Sequence, residues 1–149
     1  MRTQIRILGT IDMLLGAYYL WTFLTVYDSI ADFIQREFTL TVFLIGLMIG
    51  GVGLWGDRKS GWIANQMTGI HLILSGLLGL LVTNNTGITN DNASTNLVFV
   101  VLILIIGARL YWTNKQVWLD EFRLTNKLRL MTISSGTIIS LVLLLKSYV

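Results

Sequence analysis

Apolar residues come in five long runs, separated by shorter polar stretches. The clearest pair fills residues 38–82, FTLTVFLIGLMIGGVGLWGDRKSGWIANQMTGIHLILSGLLGLLV. Two apolar runs there flank a charged turn, Asp57-Arg58-Lys59. Trp55 and Trp62 stand on either side of that turn, where aromatic rings meet lipid headgroups. A helix needs roughly 20 apolar residues to cross the hydrocarbon. A second run of about that length follows the first after a few polar residues, so the pattern predicts a polytopic membrane protein. The predicted fold is an all-α bundle forming a single transmembrane domain, with spans at 5–26, 38–55, 62–82, 97–112 and 130–147. The fifth run is the weakest because Thr and Ser lower its hydrophobicity. Four spans with a surface-bound tail is the alternative topology.

Two connecting segments have patterns of their own. In 28–37, Ile30, Phe33 and Ile34 share one helical face, which predicts a short amphipathic helix on the membrane surface or a polar connector. In 114–129, Val117, Trp118, Phe122, Leu124 and Leu128 make an apolar side. Lys115, Arg123, Lys127 and Arg129 make a basic one. That reads as a basic amphipathic helix held to anionic lipid, or as an extension of the fourth span. Arg109, near the end of that span, is expected to snorkel to the interface.

Composition agrees with lipid as the solvent. The chain is 54% hydrophobic and 13% charged, against about 25% charged for soluble domains. Its net charge of +3 does not point to nucleic acid, because the basic residues sit between apolar runs. Counted in alternation, Arg2, Arg6, Arg58, Lys59, Arg109, Lys115, Arg123, Lys127 and Arg129 fall on one side and Arg36 and Lys146 on the other. The positive-inside rule then predicts an inside N-terminus and an outside C-terminus. Arg2 and Arg6 before an apolar run resemble a signal peptide. Asp12 interrupts that run and no Ala-x-Ala follows, so it reads as an uncleaved span. The expected location is a bacterial cytoplasmic membrane.

Small residues recur at helical spacing. Gly9, Asp12 and Gly16 share a face in the first run, and Gly46 and Gly50 form a small-xxx-small pair in the second. Ala64, Thr68, His71, Ser75 and Gly79 form a stripe in the third, and Thr132, Gly136 and Ser140 in the last. Gly9, Gly16, Gly46, Gly50, Ser75, Gly79 and Gly136 are therefore the expected helix-packing positions. Gly46 and Gly50 are expected to tolerate bulk less well than Gly53.

The chemistry is sparse. The chain has no Cys, one His, and no H-E-x-x-H, G-x-S-x-G or Walker pattern. No cofactor or metal site is expected, and no enzymatic activity. Asp12 and His71 are ionisable groups inside apolar runs, where charge is costly. Counted from the ends of their runs they lie roughly 10 and 13 Å deep, so they form a candidate buried polar pair. The expected function is that of a non-enzymatic interaction protein, either an accessory subunit of a membrane complex or an immunity-type protein. Its partners are the bilayer and other membrane subunits or itself. The alternative is a small proton-linked transporter or channel using Asp12 and His71. An intramembrane enzyme has the least in its favour.

Overall fold

A chain without proline and with apolar runs this long satisfies its backbone polar groups within uninterrupted helices. The computed structural model describes residues 2–27, 38–85 and 92–148, and every regular element in them is helical. The helices are α1 (Arg2–Leu24), α2 (Phe38–Trp55), α3 (Lys59–Asn85), α4 (Asn92–Thr113), α5 (Gln116–Glu121) and α6 (Asn126–Tyr148). Among the described residues, three stretches are long and apolar enough to cross a membrane. They are Lys59–Val82 in α3, Asn96–Thr113 in α4 and Asn126–Lys146 in α6. The apolar stretch of α2, Thr41–Trp55, is shorter. α1, with Arg6 and Asp12 among its apolar residues, is not one of the three.

α3 is the hub, packed against α2, α4 and α6, while α1 lies along α2. Glycine sets the closest approaches. A Cβ on Gly9 would lie 2.6 Å from the Gly51 carbonyl oxygen, so α1 and α2 meet backbone to backbone. Gly53 and Gly61 abut across the α2–α3 turn. On its other side α3 meets α4 with Gly69 against Leu110, Gly76 against Ile103 and Gly79 against Phe99. These contacts make α3 and α4 antiparallel. Gly136 against Met67 and Ile70, with Leu141 and Leu145 beside Leu77 and Leu81, makes α6 parallel to α3.

One end of the bundle is closed by α5. Trp118, Leu119 and Phe122 are buried there with Ile5, Leu54 and Trp62. Trp118 packs edge-on against Trp112, with ring centroids 4.8 Å apart. Arg2 pairs with Glu121 at 3.2 Å and Arg6 with Asp57 at 3.8 Å, binding the start of α1 to the same end. This corrects the reading of 114–129 as one amphipathic surface helix. The helix stops after six residues, and its aromatic side seals the bundle instead of facing lipid.

The stop has a local cause. Arg123 sits at φ 49°, in the left-handed region. Its N–H bonds Asp120 O at 3.0 Å, and Leu124 N–H bonds Leu119 O at 2.8 Å. That is the double-bonded helix ending in which glycine is the usual residue. The α2–α3 turn uses the same device, with Asp57 at φ 53° and Arg58 N–H bonding Gly53 O at 2.8 Å. The amphipathic segment read at 28–37 lies outside the described residues.

Candidate functional site

α1 buries Ile5, Gly9, Asp12 and Gly16, a stripe spaced as one helical face. The absence of side chains at Gly9 and Gly16 brings α2 close enough to cover Asp12, which is 0% exposed. A buried carboxylate is costly unless it is paired and hydrogen-bonded. Here its Oδ2 accepts from Asn65 Nδ2 of α3 at 3.0 Å and from Arg109 Nη2 of α4. One carboxylate oxygen thus joins three helices. α4 packs on α3, so the guanidinium reaches past α3 to meet α1.

A second set of hydrogen bonds continues from this clasp towards the sealed end. Thr113 Oγ1 donates to Arg109 O at 3.0 Å and accepts from Gln66 Nε2 at 2.7 Å. Gln66 Oε1 accepts from Asn114 Nδ2 at 2.6 Å. Trp62 Nε1 donates to Thr113 O at 3.0 Å. Trp62 and Gln66 lie four residues apart on one face of α3, so the end of α4 is laced to the start of α3. Trp62 also belongs to the aromatic plug, so the plug and the polar cluster adjoin, with Gln66 and Thr113 buried.

The structure does not bring Asp12 and His71 together. Asn65, which touches Asp12, precedes His71 by six residues, or about 9 Å along the helix. His71 instead faces α2, its ring 6.5 Å from Phe43 and inclined 29° to it. Its Nδ1 is buried without a hydrogen-bond partner. The snorkelling assigned to Arg109 is also corrected, because the side chain turns inward to Asp12 and is 23% exposed. Among the described residues Arg109 is the cation paired with Asp12, while Arg6 pairs with Asp57.

The packing positions are placed as follows. Gly16 lies against Met48 and Leu44, Gly46 against Thr68, and Gly50 against Ala64 and Asn65. Gly79 meets Phe99, Gly136 meets Met67 and Ile70, and Ser75 is half-buried. The ranking of Gly46 and Gly50 above Gly53 is reversed. Gly53 abuts the Gly61 backbone, whereas the nearest atom to a Cβ on Gly46 is a Thr68 hydroxyl, which can rotate. Sequence reasoning missed Asn65, Gln66, Thr113 and Asn114. Their one available signal is amide and hydroxyl residues at neighbouring positions, Asn65 and Gln66 inside an apolar run and Thr113 and Asn114 just past the end of one. Among the described residues no group of three or more His, Asp or Glu could hold a metal. Comparison with protein-family models, curated proteins and solved structures finds no match to this chain.

Proposed function

We propose that the chain is a multi-pass protein of a bacterial cytoplasmic membrane and acts by non-enzymatic interaction with other membrane subunits or itself. In this reading α1, α2, α3, α4 and α6 all cross the bilayer, with the N-terminus inside and the C-terminus outside. The orientation draws support from the sealed end, where Arg2, Arg6, Arg58 and Lys115 gather with α5.

The observation that carries the functional reading is the clasp. Asp12, the one acid well inside an apolar run, is used up in holding α1 to α3 and α4 through Asn65 and Arg109. A proton relay needs connected titratable groups, and His71 lies away from this cluster. Meanwhile α4 turns Leu104 and Ile105 outward, 66% and 60% exposed, as a broad apolar surface for lipid or a partner helix. Purification of the tagged chain in mild detergent tests the reading. A stoichiometric membrane partner or a defined homo-oligomer is expected, and a monomer with no partner under any mild condition would contradict it.

A further inference from the structure

A cleft of about 200 Å³ lies between α2, α3 and α6, on the side of α3 that carries Thr68 and His71. Phe43 and Gly46 come from α2, Thr68 and His71 from α3, and Gly136 and Ser140 from α6. Its walls are mostly apolar, and His71 is its one imidazole. His71 is 8% exposed, and its Nδ1 has no hydrogen-bond partner. A buried polar nitrogen left unpaired costs stability that a hydrogen-bonding partner would recover, and the His71 ring lines the cleft.

Three features define what would fit. The first is depth. His71 stands twelve residues into α3, about 18 Å from its start, near the middle of a bilayer-crossing helix. A charged headgroup does not reach that depth, whereas an uncharged lipid-soluble molecule does. The second is size. A dry cavity of about 150 Å³ accepts benzene, so this cleft suits one substituted six-membered ring. The third is the wall chemistry. The Phe43 and His71 rings, inclined 29° to each other, both line the space. A neutral imidazole has one donor and one acceptor nitrogen, and the hydroxyl residues Thr68 and Ser140 line the same space. A partner helix suits it less well, because Gly46 and Gly136 are already occupied by Thr68, Met67 and Ile70.

We propose that this cleft binds an uncharged, lipid-soluble ring compound bearing a carbonyl or hydroxyl oxygen, of the quinone or phenol class, through a hydrogen bond to His71. The chain has a single histidine, so its imidazole signals need no assignment. The test uses the full chain, histidine-labelled with ¹⁵N and held in detergent micelles. It is titrated with duroquinone, with tetramethylphenol, and with durene, which has the same methylated ring and no oxygen. The expected result is a saturable shift of the imidazole nitrogens, with at least one oxygenated probe binding tenfold or more tightly than durene. His71→Phe, which keeps the flat ring, should bring the affinities level, as followed by ligand-induced thermal stabilisation. No shift with either oxygenated probe, as when the cleft holds only water, overturns the proposal. Equal affinity for durene and both oxygenated probes overturns it as well. These titrations decide the matter on the unsubstituted chain even if His71→Phe does not fold.

Discussion

Removing either half of the Asp12–Arg109 pair should destabilise the bundle, and the two halves should not cost the same. Breaking a buried ion pair by deleting one partner costs about 3–5 kcal/mol, chiefly because the other charge is left uncompensated. Arg109→Met strands a carboxylate that is 0% exposed and keeps only Asn65 as a donor, so its cost should fall near the upper figure. Asp12→Leu strands a guanidinium that is already 23% exposed and lies one turn from the end of α4. That group can swing to the interface, so the cost should fall near or below the lower figure. The double variant leaves no charge behind and should cost less than the two singles together. The coupling should be about 2–3 kcal/mol, at the upper end of the range for residues in contact. Reversible unfolding of the four proteins in detergent measures the cycle. Additivity within about 0.5 kcal/mol, the behaviour of independent sites, would refute the clasp. As an internal control, the cycle between Asp12→Leu and His71→Ala should be additive.

Three further outcomes follow from the packing and the turns. Gly53→Ala or Gly61→Ala should lower the unfolding midpoint more than Gly46→Ala, because the first two force backbones apart; equal midpoints would contradict the close α2–α3 approach. Arg123→Gly should raise stability by about 1 kcal/mol, since it relieves a left-handed residue that carries a side chain; a loss in chemical denaturation would show that this turn is formed otherwise. A reporter fused after Val149 should be active only outside the membrane, and cytoplasmic activity would remove α6 as a span.

The helices were legible because the apolar runs are long and free of proline. The run 38–55 matches α2 residue for residue. α3, α4 and α6 extend beyond their runs because polar residues such as Lys59 and Asn92 start helices whose apolar parts lie further in, while α1 starts before its run and ends at Leu24, short of Val26. The clasp was half legible. Asp12 announces itself as an acid in an apolar run, but its partner lies 97 residues away and looks like an interfacial arginine. Depth along each helix could not choose between His71 and Arg109, since that choice depends on which helices become neighbours. The broken helix at 121–126 was not legible either. Arg123 occupies the position where glycine would have marked the turn, so the apolar side read from Val117 to Leu128 ran on unbroken; at Asp57 the charged Asp57-Arg58-Lys59 marked the turn instead.

Proton flux tests most directly whether the ionisable residues of the bundle hold helices together or carry charge. The purified chain and its Asp12→Asn variant are reconstituted into liposomes with an imposed pH gradient and an internal pH dye. With Asp12 committed to Asn65 and Arg109, the gradient should decay no faster with either protein than in protein-free liposomes. A faster decay with the unsubstituted chain that Asp12→Asn abolishes would contradict this.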